Sequence, residues 1–422
     1  MSEIDRAISL ISKDNLVSIL SKIVDAASPT GEEGPCAREI VHILNKYNLQ
    51  GEEQVLDQQQ SNAIGRISGR YSDSHDTLMF YAPIDTVTSS DPSEDLPWAG
   101  PEMKPEMWAK SSTDGRYVYG LGAHNPKGHV ACIIEAGRVI KESNASIEGD
   151  LLLGFGAGGM PTNSREGTRI DAGHGVGCDY MMQQGPKPHH AVIAKSGWSI
   201  SWEEVGLVWF EVKVKGIHNY SGARHLMPYV NPIVDAARLI EKIEEWLIKW
   251  PEAHRSGLVA PQGVISFIES GWERMPSFTP AVCRLRIDLR ISPRTTIEEA
   301  EAAFAEMLRS CSDELGIETS YQRIVAIPGA RTDPKDLIIE QSIKSWEAIS
   351  GNKHHAVTGM SGATDANILR GHGVSTARVG LPKAQIPNID FQLGMNAVDI
   401  DDLYNLTALL THIALSFQKN KN

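Results

Sequence analysis

Hydrophobic and polar positions follow one rhythm at both ends of the chain and another in the middle. Apolar residues recur at helical spacing over 8–26 and 37–47, and short apolar runs then alternate with helical stretches through residue 194. The runs at 80–84, 151–155 and 191–194 are continuously apolar, as expected of strands covered on both faces. A mainly parallel sheet with helices on both sides is therefore predicted, an α/β class. From 206 to 215 the pattern turns to strand-like alternation. An amphipathic helix follows over 234–250, then strands at 263–269 and 281–291, then a helix over 296–308 that Thr296 can cap. This two-helix, four-strand block predicts an inserted α+β domain at 206–325, with 1–205 and 326–422 forming the two parts of the α/β domain.

Composition narrows the partners. A 422-residue chain with 41% hydrophobic residues can bury two cores. Its net charge of −13 and the lack of a basic stripe argue against nucleic acid and anionic membranes. Cys36, Cys132, Cys178, Cys283 and Cys311 are odd in number and form no Cys-x-x-Cys, which fits reduced thiols. Cys178, in the glycine-rich stretch 173–178, reads as a packing or turn residue, with a reactive thiol as the alternative. The start of the chain is polar and acidic, so no signal peptide is expected, and no run of about 18 apolar residues is present. The expected location is cytoplasmic.

Chemistry enters through ordered motifs. Phe80-Tyr81-Ala82-Pro83-Ile84-Asp85 ends a strand, and Tyr119-Gly120-Leu121-Gly122-Ala123-His124-Asn125-Pro126-Lys127-Gly128 opens a helix. Gly156-Ala157-Gly158-Gly159-Met160, Ala191-Val192-Ile193-Ala194-Lys195 and Phe391-Gln392-Leu393-Gly394-Met395-Asn396 follow. With Ser28-Pro29-Thr30-Gly31-Glu32-Glu33 and Gly362-Ala363-Thr364-Asp365, their order and spacing resemble the aminoacylase, acetylornithine deacetylase, succinyl-diaminopimelate desuccinylase and glutamate carboxypeptidase family of two-zinc amide hydrolases. The resemblance covers nearly the whole chain. It implies a catalytic-type domain, a lid and dimerisation domain at 206–325, a homodimer through that lid, and a small-molecule substrate.

The five ligand positions implied by the resemblance carry poor zinc ligands. They fall on Pro83, Asn125, the pair Gly159-Met160 in place of a base and a ligand, Lys195, and Gln392, with Asn396 in a further acidic place. Asp85 is kept. A two-zinc site sets roughly four positive charges against several carboxylates. This sequence removes four carboxylates and adds an ammonium, a several-kcal/mol conflict in a cleft of low dielectric. No metal and no other cofactor is expected. Histidines 124, 129, 174, 189, 190, 218 and 225 leave a rebuilt metal site as an alternative, although none of these spacings is that of a helical zinc motif.

The replacements supply hydrogen-bond donors instead. Lys195, Asn125 and Gln392 are expected to converge in the inherited cleft and polarise a reacting group, with Tyr220 in the place of the family's lid histidine and Asp85 and His124 nearby. Arg290, at the end of a lid strand, resembles the family arginine that grips a substrate carboxylate. An ordinary salt bridge is its plainer reading. His218, Ser361 and Asn396 complete the expected substrate contacts. The nucleophile is open between Ser361 and a water held by Asp85, His124 or His218, since no Gly-x-Ser-x-Gly occurs. The long loop 161–188 carries Asn163, Arg165, Glu166, Arg169, Asp171 and His174, and reads either as a cleft cover or as a solvated excursion. Three functions follow: a metal-independent enzyme acting on a small carboxylate-bearing amide, lactam or other C–N compound; a non-catalytic relative binding a small acid or a protein; and a metal-dependent peptidase or deacylase with a rebuilt site.

Overall fold

Strands Leu78–Pro83 and Leu151–Gly156 are buried at every residue, and everything in the first half of the chain is arranged around them. The structure is a computed structural model, and it describes residues 2–71, 76–165, 167–185 and 187–417; Glu166 lies outside the described residues. The chain divides into two compact units. One comprises Met1–Trp202, Thr332–Ala356 and Thr364–Asn422; the other comprises Glu203–Arg331 and Val357–Ala363.

The first unit holds a six-stranded sheet in the order Glu52–Val55, Ser61–Ile67, Leu151–Gly156, Leu78–Pro83, His190–Ala194, Ser375–Val379. The last four run parallel, and the first two add antiparallel at one edge. Alternation along each strand divides the side chains between two cores. Phe80 and Ala82 join Leu16, Ile19 and Leu20 of helix Lys13–Asp25 and Val130 and Ile133 of helix Lys127–Glu142 in one cluster. Met79 and Tyr81 join Met181 of helix Val176–Gln184 and Leu369 of helix Ala366–Gly371 in the other. Burial on both faces is what the continuous apolar runs demand, and it makes the α/β class a direct consequence of the pattern.

One predicted element divides. The helical spacing over 8–26 is interrupted after helix Glu3–Ile8, because the Ser12 hydroxyl accepts the Asn15 N–H at 3.2 Å and starts helix Lys13–Asp25 afresh.

In the second unit, an antiparallel sheet runs in the order Gly263–Ser270, Val282–Ile291, Gly206–Lys215, Thr319–Ile327. Helices Pro232–His254 and Ile297–Leu315 pack on it, with Phe210 stacked on Phe304 at 4.0 Å between ring centres. Thr296 caps the second helix in a reciprocal box with Glu299. Residues Val357–Ala363 return to this unit, where the Gln262 N–H donates to the Ser361 hydroxyl at 3.0 Å. The boundaries read from the sequence do not contain this return. Among the described residues, no helix is long and apolar enough to cross a membrane.

Candidate active site

The carboxyl ends of strands Leu78–Pro83, Leu151–Gly156 and His190–Ala194 lie side by side, and the residues just beyond them are Asp85, the glycine-rich turn 157–160, and Lys195. Ligand sites of open α/β sheets form outside these strand ends. Asp85 is fully buried. Its carboxylate accepts the Thr30 hydroxyl at 2.7 Å and the Gly159 and Met160 N–H groups at 2.9 Å each. Burial raises its pKa, opposed by these hydrogen bonds and by the charge of Lys195. A second buried acid backs it. Glu33 accepts the N–H groups of Gly31 and Gly158 and the Gln60 amide, and burial together with the Asp85 charge pushes it up to about 8. The pair of carboxyls thus clamps the turn 157–160 through its backbone.

That clamp closes the place where the resemblance puts a general base. A Cβ on Gly159 overlaps Pro83 Cβ and lies 2.7 Å from Asp365 Oδ2. Asp365 is itself fixed by the Tyr81 hydroxyl at 2.6 Å. A glutamate side chain therefore has no room at 159 without moving the strand end.

His124 is buried, and its Nε2 lies 2.9 Å from the Pro382 carbonyl oxygen, so that nitrogen carries the proton. Its Nδ1 has no protein hydrogen-bond partner. Burial lowers its pKa and the charge of Lys195 lowers it further, so the ring is neutral with an open lone pair. His129 stands edge-on at 5.7 Å between ring centres, also driven downward by burial, and its Nε2 accepts the Leu381 N–H at 3.1 Å. Lys195 is buried with its ammonium 3.8 Å from Met160 Sδ.

A cavity of about 290 Å³ opens next to this cluster. Its polar wall is Thr86, Thr88, Asn125, Gln392 and Asn396, and its apolar wall includes Val87, Trp98, Leu121, Phe391 and Met395. Of the expected polar groups, Asn125, Gln392 and Asn396 therefore share one wall, while Lys195, Asp85 and His124 stand apart from it. Asn396 is spent on the backbone, its Oδ1 accepting the Gly122 N–H at 2.7 Å. Asn125, 8% exposed, donates only to the weak acceptor Met395 Sδ at 3.5 Å, and its Oδ1 has no hydrogen-bond partner.

Tyr220, His218, Arg290 and Ser361 belong to the second unit. His218 is stacked on Phe278 and its Nδ1 lies 2.9 Å from the Thr279 carbonyl oxygen; Tyr220 is half exposed beside the same ring. The guanidinium of Arg290 donates from Nε and one terminal nitrogen to Asp288, at 3.1 and 2.7 Å. This pair matches the plainer of the two readings given for it, while the grip on a substrate carboxylate was the expectation.

The donor set does not suit a pair of divalent metals. Pro83 and Gly159 offer no side-chain donor, Lys195 brings a positive charge, and among the described residues no three His, Cys, Asp or Glu side chains are grouped to hold a metal ion. The roles of Trp98, Phe391 and the buried partner Glu33 were not foreseen from the sequence, although Glu33 lies in the turn motif 28–33 and Phe391 opens the motif 391–396.

Comparison with known proteins shows what the chain resembles. Residues 203–314 match the peptidase dimerisation domain. The whole chain is similar to the succinyl-diaminopimelate desuccinylase of Helicobacter hepaticus, 21% identical over 96% of this chain and 98% of the relative. In its dimerisation segment and in its overall fold the chain is similar to M20 peptidases. Two solved structures share its fold. One is human carnosine dipeptidase 1, with a TM-score of 0.74, 13% identity and 99% of each chain covered. The other is an M20 family metallo-carboxypeptidase from Sulfolobus solfataricus, with a TM-score of 0.66, 13% identity, and 96% and 99% covered. Against the M20 resemblance, the sheet and the dimerisation domain are kept, and the positions that the resemblance assigns to metal carry Pro83, Asn125, Gly159, Met160, Lys195 and Gln392.

Proposed function

We propose that this M20 protein is a hydrolase acting on the C–N bond of a small amide, lactam or related compound without a metal pair. The observation that supports it most is Gly159: the base position is closed to any side chain by Pro83 and Asp365, while the neighbouring wall offers the amides of Asn125 and Gln392. Relatives named as a desuccinylase and a dipeptidase bring amide cleavage to the reading. In the proposed division of work, Asn125 and Gln392 hold and polarise the carbonyl. The Lys195 ammonium supplies positive potential in a dry setting, where it acts over a longer range than in water. His124 is assigned as the base, since its Nε2–H is pinned by the Pro382 carbonyl and its buried Nδ1 has no protein partner, leaving a lone pair for a proton from a water brought in with the substrate. Through the dimerisation domain we expect a homodimer, and we place the protein in the cytoplasm.

A second reading, a non-catalytic relative that binds a small molecule in the same cavity, is supported by Asp85. Its carboxylate is engaged by Thr30 and two backbone N–H groups, which gives it a structural role in holding the turn and none in chemistry. Screening amides for turnover with Asn125→Ala, Gln392→Ala and Lys195→Ala as controls separates the two. Cleavage that falls by about tenfold or more in these variants supports the hydrolase, at about 1.4 kcal/mol of lost stabilisation. Cleavage untouched by all three removes it.

A further inference from the structure

We infer that the cavity beside Asn125 selects an uncharged, planar aromatic amide or lactam, not a carboxylate-bearing substrate; this rests on the reading of that cavity as the working site. Its wall carries no ionised side chain among the described residues. The cation expected to grip a carboxylate, Arg290, belongs to the second unit and is neutralised by Asp288. A carboxylate entering this wall would lose water without a counter-charge in contact with it, Lys195 lying outside the lining, which costs more than burying a neutral amide that finds its hydrogen bonds.

Asn125 supplies the positive selection. A primary carboxamide presents one acceptor and one donor side by side, the complement of a lactam N–H and C=O. Here the acceptor has no partner at all, and the donor has only a thioether. Buried acceptors in folded proteins are overwhelmingly paired, so an orphan in the wall of a cavity marks the place of a missing donor. Gln392, half-buried on the same wall, offers a second amide.

The apolar part of the wall points to an aromatic ring. Trp98 and Phe391 line the cavity yet remain 61% and 72% exposed. Both stand on short helices fixed by side chains: Asp91 caps Pro92–Ala99, and Asp390, paired with Lys104 at 2.5 Å, caps Phe391–Asn396. Large rings held open beside a cavity gain area and ring-on-ring contact from a flat ligand. At about 290 Å³ the space sits at the small end of ligand pockets, about 300–1,000 Å³.

The test is calorimetric titration of the full chain with three flat ligands: quinolin-2-one, which has ring and lactam; quinoline, which has the ring alone; and 2-oxoquinoline-4-carboxylate, which adds a charge. Quinolin-2-one is expected to bind, with the other two at least roughly tenfold weaker, the worth of a hydrogen-bonded pair or of an unpaired charge. Asn125→Leu is expected to erase the preference for quinolin-2-one over quinoline. Trp98→Ala, at an exposed position that folding tolerates, is expected to weaken both by several-fold. Equal binding of quinolin-2-one and quinoline, preference for the carboxylate, or no binding by any of the three overturns the inference. Turnover is read separately. Quinolin-2-one bound by a protein that cleaves no amide removes the hydrolase reading and keeps this one; cleavage of charged amides by a protein that ignores quinolin-2-one does the reverse.

Discussion

Gly159 stands where the family resemblance puts a base, and its surroundings crowd out a side chain. The space is occupied by Pro83 and Asp365, so Gly159→Ala is expected to destabilise by about 1–3 kcal/mol, the usual cost of an overpacked core position. Urea denaturation measures it, and an unchanged midpoint would show that the strand end yields freely. Glu33 gives a second residue-level prediction, through linkage. Its folded pKa of about 8 lies above the ordinary 4.5, so between those values the folded state holds a proton that the unfolded chain has lost. Stability is therefore full below about 4.5 and declines as pH rises through 8. Glu33→Gln is expected to flatten the midpoint-against-pH curve over that window; an identical slope in the variant assigns the dependence to another group. At this scale, Asn125, Gln392 and Asn396 were legible because the strand and turn motifs number them. The cavity-facing role of Trp98 and Phe391 was not, since helices of six to eight residues are too short for a periodicity that says what each ring faces.

The elements follow from local chemistry wherever that chemistry is complete. Helix Ile297–Leu315 begins where Thr296 and Glu299 cap each other, and Thr296→Ala is expected to lower stability by about 1 kcal/mol, read as a shift in the urea midpoint. No shift would mean that packing against Phe210 alone holds the helix end. The strands were legible because short, continuous apolar runs between turns are the mark of strands buried on both faces. The break at Ser12 was not, since one hydroxyl among helix-compatible residues leaves the hydrophobic spacing on either side unchanged. Nor was the role of the turn 157–160, whose order comes from Asp85 and Glu33, carboxylates distant in sequence whose meeting only the folded sheet discloses.

For the molecule as a whole, the continuous strands and the inserted block led from pattern to the α/β class with an inserted domain, and the ordered motifs led to the M20 resemblance. The return of Val357–Ala363 to the second unit escaped, because seven residues without an element of their own leave no period to read. Light scattering at micromolar concentration is expected to give twice the 46.2 kDa chain mass, and a single-chain mass would remove the proposed homodimer. Whether the cleft works without paired metal ions is tested most directly by elemental analysis of freshly purified protein, joined to cleavage assays with a chelator and with added zinc. No stoichiometric zinc, and cleavage indifferent to both additions, is the expected result. Two zinc ions held per chain, with activity abolished by chelation and restored by zinc, would contradict it.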